Sequence, residues 1–196
     1  MDHVSRIRAH FADSAQLKLA AADALAPAIA RAADLFTTCL LGDGKILACG
    51  NGGSAADAQH FAAEMIGRFE RERPELPAIS LATDTSILTA VANDYSFGQV
   101  FAKQVRALGK PGDVALAFST SGTSPNVLRA VTECQRLGIH TVGLTGGSGG
   151  KLRTMVDHWL NVSASRDTAR IQETHILIGH VLCQLVDAAL YGGKKK

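Results

Sequence analysis

The chain has 196 residues, which is long enough for one domain to bury a core without disulfide or metal staples. Its 46% apolar and 19% charged residues exclude an intrinsically disordered chain. The formal net charge of +2 is too small to indicate a direct nucleic-acid partner, and the basic run 194–196 is most simply a solvated tail.

The four cysteines predict a reducing compartment. Each lies in an apolar run without CxxC spacing, so we expect reduced and buried thiols. The amino terminus is polar and charged, which predicts no signal peptide, and no uninterrupted apolar stretch approaches the roughly 18 residues of a membrane span. We therefore expect a cytoplasmic protein without membrane contact.

The chain begins with a helical pattern at residues 4–41, where apolar residues recur at steps of three and four. Pro27 divides this stretch into two helices or begins the second one. A long apolar-striped helix ahead of the first strand often packs on a partner chain, so we expect an oligomer. We assign residues 1–42 to this helical region and residues 43–196 to an α/β core, within a single domain.

Short apolar runs of strand length then alternate with helical patterns. These runs are nearly continuous, as expected for parallel strands that are covered on both faces. The predicted strands lie at residues 45–50, 78–83, 114–120, 141–145 and 158–162. The predicted helices lie at residues 54–69, 85–93, 97–108, 125–137 and 171–190, with a short piece near Leu152. The alternation predicts an α/β fold, a three-layer αβα sandwich around a five-stranded parallel sheet.

Two loops at predicted strand ends are rich in small polar residues. The glycine loop reads GNGGS (50–54), and the hydroxyl loop reads STSGTS (119–124). Because such loops offer backbone N–H groups, hydroxyls and a helix N-terminus at one edge of the sheet, they predict a phosphate site. Tight turns with capping residues have the same pattern, with Ser124 as N-cap and Pro125 as first helical residue. Neither loop has the lysine of a nucleotide P-loop, which argues against ATP or GTP hydrolysis.

A third group of residues has metal-ligand chemistry. His60 and Glu64 are four residues apart and share a helix face, while Gln172 and His180 lie broadly on one side of the last helix. Two imidazoles, a carboxylate and an amide suit a borderline metal such as zinc. Spacing alone leaves the alternatives open, because His–Glu pairs are common on solvated helices and a histidine in an apolar run is typical of a core.

Four segments together resemble the phosphoheptose isomerases, single-domain members of the sugar isomerase (SIS) family. The segments are GNGGSAADAQHFAAEM (50–65), LTAVANDYSFGQVFAKQVRALG (88–109), STSGTSPNV (119–127) and RIQETHILIGH (170–180). The resemblance covers nearly the whole chain, in order. It implies a flavodoxin-like SIS fold, a homotetramer with active sites between subunits, and isomerisation of D-sedoheptulose 7-phosphate to D-glycero-D-manno-heptose 7-phosphate for lipopolysaccharide heptose.

The resemblance also implies site residues at the matching positions. The implied substrate contacts are Asn51, Gly52, Gly53, Ser54, Glu64, Asn93, Asp94, Ser119, Thr120, Ser121, Ser124 and Gln172. The implied ligands of one zinc ion per subunit are His60, Glu64, Gln172 and His180. For proton transfer through an enediol, we assign Glu64 as the base between C1 and C2 and His180 as the acid for the protons on O1 and O2.

Replication-initiator-associating proteins, which share the SIS fold and bind the initiator DnaA, give an alternative function. Residues 6–25, 68–81 and 102–109 resemble that group, and the charged run 68–73 is most simply a solvated face. That group departs from the isomerase pattern at the carboxylate and the last histidine, whereas this chain keeps Glu64 and His180. An adaptor has no use for a matched base and acid, so the enzyme is favoured. Thr168 and Ala169 stand, just before residues 170–172, where an acidic residue can occur in some isomerases.

Overall fold

The computed structural model describes residues 2–192, so the basic run 194–196 lies outside the described residues. Within this part, the strands are β1 Ile46–Cys49, β2 Ala78–Ser80, β3 Val114–Ser119, β4 His140–Gly146 and β5 His158–Val162. The α-helices are α1 His3–Leu41, α2 Gly53–Ile66, α3 Thr85–Asp94, α4 Val100–Leu108, α5 Pro125–Arg136 and α6 Thr168–Tyr191. Short 3-10 turns occupy Phe97–Gln99 and Leu152–Thr154.

The strands form one parallel sheet with the order β2-β1-β3-β4-β5. β1 and β3 are buried along their whole length, which explains their nearly continuous apolar sequences. The chain changes direction across the sheet between β1 and β3, and such a reversal opens a crevice at the carboxyl ends of the strands. The predicted α/β architecture is confirmed, and the glycine and hydroxyl loops follow the two strands beside this crevice.

Successive residues of each strand point to opposite faces of the sheet, and each face has its own helices. Ile46 and Ala48 of β1 pack in the core that α1, α2 and α6 cover, here named the α2–α6 face. Leu47 and Cys49 pack in the core that α4 and α5 cover, here named the α4–α5 face. All four cysteines are free and buried, as predicted.

Helix α1 is one continuous helix of 39 residues with Pro27 inside it, so the predicted division at Pro27 is wrong. Leu25 and Ile29, two residues to either side, are both buried in the core. Their burial holds the helix together although Pro27 has no N–H for the usual backbone bond. Residues 3–13 of α1 are exposed, and the side chain of Phe11 is 74% exposed.

Two further features of the helices differ from simple sequence expectations. Helix α2 ends at Ile66 rather than at residue 69, because Gly67 follows and its N–H bonds the carbonyl of Ala63 at 2.8 Å. By length and composition, α1 and α6 are each apolar enough to cross a membrane. The two helices pack along each other and on the sheet, and core helices share this composition.

Candidate active site

Helices α2 and α6 bring three of the four predicted metal ligands together. Nε2 of His60 lies 2.9 Å from Nε2 of His180 and 3.2 Å from Oε1 of Glu64. One donor atom from each residue lies within 4.8 Å of the other two. We name these residues the His/Glu cluster. Two imidazoles and a carboxylate converging in this way form a candidate metal site, and their chemistry fits zinc.

Gln172, the fourth predicted ligand, lies against the start of α2. A Cβ atom on Gly53 would come within 2.6 Å of both Oε1 and Nε2 of Gln172, so a side chain at position 53 would displace this amide. Gly53 is the first residue of α2, about two turns before His60. Gln172 therefore joins α6 to the glycine loop.

A pair of amides connects the glycine loop to the helix that follows the hydroxyl loop. Nδ2 of Asn51 donates to Oδ1 of Asn126 at 2.8 Å, and Nδ2 of Asn126 donates to Oδ1 of Asn51 at 2.8 Å. Asn126 is 2% exposed and lies in the first turn of α5. Sequence reasoning missed Asn126, because an asparagine next to Pro125 is typical of an ordinary helix start. The pair links the two sides of the crevice.

The hydroxyls of the hydroxyl loop group with one another. Ser124 is the N-cap of α5 and Pro125 its first residue, as predicted, but the Ser124 hydroxyl makes no capping bond within the described chain. Its Oγ lies 3.1 Å from Oγ of Ser119 instead. Oγ of Ser121 accepts from the N–H of Thr123 at 3.3 Å and from its hydroxyl at 3.1 Å. A local concentration of hydroxyl groups therefore lies at the end of β3.

Backbone contacts join the hydroxyl loop to the loop that follows β4. Gly122 has a φ of +64°, and a Cβ there would lie 1.9 Å from the carbonyl oxygen of Gly149. The N–H of Gly146 donates to the carbonyl of Thr120 at 2.9 Å, and the N–H of Leu152 donates to that of Gly122 at 2.9 Å. The ends of β3 and β4 therefore form one surface.

A cavity of about 360 Å³ opens on that surface. Its lining residues are Thr120, Ser121, Gly146, Gly147, Ser148, Arg166, Thr168 and Ile171. Two of them belong to the predicted phosphate loop, and Arg166 adds a positive charge. Sequence reasoning missed Ser148 and Arg166, and it noted Thr168 only as a departure from some isomerases. Ser148 lies in the small-residue sequence after β4 and Arg166 follows β5, and both strands end at the same sheet edge as β3.

Asn93 and Asp94 lie at the exposed carboxyl end of α3. Nδ2 of Asn93 donates to Oδ1 of Asp94 at 2.8 Å. Ser54, in contrast, is 3% exposed at the start of α2. The substrate contacts that the resemblance implies for these three residues stay predictions.

Two buried ionisable residues lie on the helices of the His/Glu cluster. Burial raises the pKa of the Asp57 carboxyl to about 6, although His60 acts in the opposite direction. Burial lowers the pKa of His175 to about 4, against the effect of the hydrogen bond between its Nε2 and the carbonyl of Thr145 at 3.1 Å. The core histidine of α6 is therefore His175, while His180 is partly exposed.

Comparisons with known proteins identify the family of this chain. Residues 10–146 match the SIS domain family. The phosphoheptose isomerase of Azoarcus sp. (strain BH72) is 57% identical over 195 residues, which cover 98% of both chains. The phosphoheptose isomerase of Dechloromonas aromatica (strain RCB) is 56% identical and covers 98% of this chain and 99% of its own.

Solved structures give the same result. The phosphoheptose isomerase GmhA from Neisseria gonorrhoeae has a TM-score of 0.90 and 52% identity, and covers 95% of this chain and 100% of its own. A phosphoheptose isomerase from Francisella tularensis has a TM-score of 0.92 and 48% identity, and covers 95% of this chain and 99% of its own.

Proposed function

The chain belongs to the SIS domain family, and on that premise we propose that it is an isomerase that converts D-sedoheptulose 7-phosphate to D-glycero-D-manno-heptose 7-phosphate. The observation that carries the proposal is the similarity to a phosphoheptose isomerase at 57% identity over 98% of both chains. The product supplies the heptose of a bacterial lipopolysaccharide or capsule. Such a reaction belongs in the cytoplasm, where sugar phosphates are made.

The reaction moves one proton between neighbouring carbons of an open-chain sugar. Glu64 removes the proton from C1 of the ketose and returns it at C2. His180 acts as the acid that transfers the protons on O1 and O2. The two side chains belong to one cluster, because each lies beside His60. Both helices begin at the carboxyl edge of the sheet, where substrates of open α/β sheets bind, and the two side chains lie about three turns along them.

The His/Glu cluster, together with the amide of Gln172, would hold one zinc ion per subunit. The donor types suit this metal, and the donor atoms of the cluster already lie within 4.8 Å of one another. Bound there, zinc would polarise the carbonyl group of the substrate. To complete the set, the amide of Gln172 would have to move from its place against Gly53, which lies about two turns of α2 before His60.

The substrate phosphate binds at the hydroxyl loop, where the cavity lined by Thr120 and Ser121 supplies hydrogen-bond donors. Arg166 supplies the charge that neutral hydroxyls lack. The remaining contacts with the sugar come from Asn51, Gly52, Gly53, Ser54, Asn93, Asp94, Ser119, Ser124 and Gln172.

The active form is a homotetramer. An apolar groove of about 350 Å³ runs between α1 and α6 and is lined by Leu25, Ile29, Leu177 and Val181, among others. Exposed apolar residues continue along α1, including Phe11. A second copy of the chain would remove this apolar surface from water.

The alternative, an adaptor that binds DnaA, is not favoured. Proteins that are 52–57% identical to this chain over nearly its full length include phosphoheptose isomerases. A protein with only a binding role does not require two histidines and a glutamate whose donor atoms converge.

The test is an isomerisation assay on sedoheptulose 7-phosphate with the wild type, Glu64→Gln and His180→Gln. Loss of a positioned acid or base should lower kcat by about 10²- to 10⁴-fold. Glu133→Gln is the matched control, because this glutamate on α5 bonds Arg106 and Arg136 instead. An inactive wild type that binds DnaA tightly would overturn the proposal.

Zinc requires a separate measurement. Chelation should abolish activity, and added zinc should restore it. Full activity in verified metal-free protein would remove zinc from the proposal and leave the acid–base assignment in place.

A further inference from the structure

Arg73 is a buried cation that the proposed chemistry does not use. It lies between α2 and β2, at the end of the charged run 68–73, and its side chain is 1% exposed. The sequence-based interpretation of this run as a solvated face holds for the exposed pair Arg68 and Glu72 and is wrong for Arg73. Because a buried charge is costly, its partners indicate what it does.

The guanidinium of Arg73 bonds both helices that carry the His/Glu cluster. Nη2 donates to the carbonyl of Glu64 at 2.8 Å, and Nη1 donates to that of Met65 at 2.7 Å. Both carbonyls lie in the last turn of α2, where backbone acceptors lack helical partners and a cation is favourable. Nε donates to Oδ1 of Asp187 at 2.8 Å, and Asp187 lies on α6 about two turns after His180.

Stability alone does not account for this arrangement. Burying an ion pair costs desolvation that its attraction often fails to exceed. Oδ2 of Asp187 is also buried without a hydrogen-bond partner in the part of the chain that the structure describes. The planar guanidinium, however, directs its donors in a fixed fork, so it sets the geometry between the groups it bonds.

The geometry points to Arg73 as a positioning residue, whose guanidinium holds the Glu64 end of α2 against α6 and so maintains the spacing of the His/Glu cluster. Its effect on catalysis rests on the proposed function, whereas its effect on metal binding and on the two imidazoles does not. Groups that orient metal ligands typically change metal affinity or activity 10- to 100-fold when they are replaced.

The experiment compares Arg73→Met, Arg73→Lys and the control Lys45→Met. Arg73→Met removes all the bonds, whereas Arg73→Lys keeps the charge but loses the planar fork. Lys45→Met breaks another partly buried ion pair, Lys45–Asp113, in which Nζ lies 2.6 Å from Oδ2. Lys45 and Asp113 immediately precede β1 and β3, and the two side chains bond each other rather than a residue of the cluster.

Three readouts separate positioning from simple loss of stability. Zinc binding to metal-free protein is measured by calorimetry, and the imidazole signals of His60 and His180 are followed by NMR in the same metal-free state. The third readout is kcat and KM for sedoheptulose 7-phosphate. Chemical denaturation monitors the stability of each variant.

Both Arg73 variants should bind zinc at least tenfold more weakly, shift the imidazole signals, and lower kcat more than they change KM. Lys45→Met should lose stability with zinc affinity and imidazole signals unchanged. If Arg73→Met does not fold, Arg73→Lys carries the test. An Arg73→Lys protein with wild-type zinc affinity and wild-type imidazole signals would overturn the inference.

The two proposals fail in different ways. An inactive wild type with tight zinc binding would refute the isomerase while zinc affinity and imidazole signals still decide the role of Arg73. If the wild type is inactive and binds no zinc, the imidazole signals of the metal-free proteins decide whether Arg73 positions the cluster.

Discussion

Each face of the sheet has a buried apolar core, but the two faces differ in their polar groups. Four buried side-chain atoms lack a hydrogen-bond partner among residues 2–192, and they are Asp57 Oδ2, Arg170 Nε, His175 Nδ1 and Asp187 Oδ2. All four belong to α2 or α6. On the α4–α5 face, the buried amide of Gln104 donates to the carbonyls of Leu81 and Val100 at 2.9 Å each.

This difference indicates that the two faces have different roles. Buried polar groups are normally satisfied, and exceptions gather where function requires them. Helices α2 and α6 contain ionisable side chains with buried atoms that lack a hydrogen-bond partner among the described residues, and they also carry the His/Glu cluster. Among the described residues, no buried side-chain atom of α4 or α5 lacks a hydrogen-bond partner.

The largest expected effect comes from removing one buried phenylalanine on each face. Phe61 on α2 and Phe101 on α4 are 1% and 2% exposed, so Phe61→Ala and Phe101→Ala should each lower the free energy of unfolding by about 3–5 kcal/mol. A Cβ on Gly179 would lie 3.9 Å from the Phe61 ring, so this ring packs against α6 next to His180. Only Phe61→Ala should therefore also lower kcat of the folded fraction.

Urea denaturation and steady-state kinetics, with activity corrected for the folded fraction, measure both effects. If kcat fell equally in Phe61→Ala and Phe101→Ala, the two faces would not differ in their effect on catalysis.

An intermediate effect is expected from His175. Its pKa of about 4 in the folded protein lies below the ordinary value of 6.5, so the unfolded chain binds the proton more readily. Stability should therefore fall as the pH drops from 6.5 towards 4, by at most about 3 kcal/mol from this residue. His175→Gln, which cannot titrate, should flatten this part of the stability profile.

Urea midpoints measured between about pH 4 and 7 give the profile for each protein. His3→Gln is the control, because this histidine is exposed near the start of α1. An unchanged profile in His175→Gln would show that this buried imidazole does not lower the stability of the α2–α6 face in acid.

The smallest expected effect comes from the amide pair that links the two sides of the crevice. Asn51 precedes α2 and Asn126 lies on α5, so a double-mutant cycle with Asn51→Ala and Asn126→Ala measures how the faces are coupled. We expect a coupling energy of about 1 kcal/mol from denaturation midpoints. A coupling energy near zero would mean that the faces are stabilised independently at this point.

Local patterns predicted most of the fold. Continuous apolar runs located all five strands, and the four-residue spacing of His60 and Glu64 placed them correctly on one helix face. Pro27 was mispredicted, because burial on both sides of it outweighs a local preference. Local reasoning also could not find Asn126, Arg166 or the burial of Arg73. Their contacts cross from one loop or helix to another, so they depend on how the elements are packed.

The close approach of Gly122 to Gly149 has a consequence for sequence divergence. Because a Cβ at position 122 would overlap the Gly149 carbonyl, a side chain can enter there only if the backbone after β4 moves as well. Substitutions and insertions in these two loops are therefore not independent events. Among descendants of this sequence, the two loops should diverge together or remain unchanged together, even though helix α5 and strand β4 separate the two glycines along the chain.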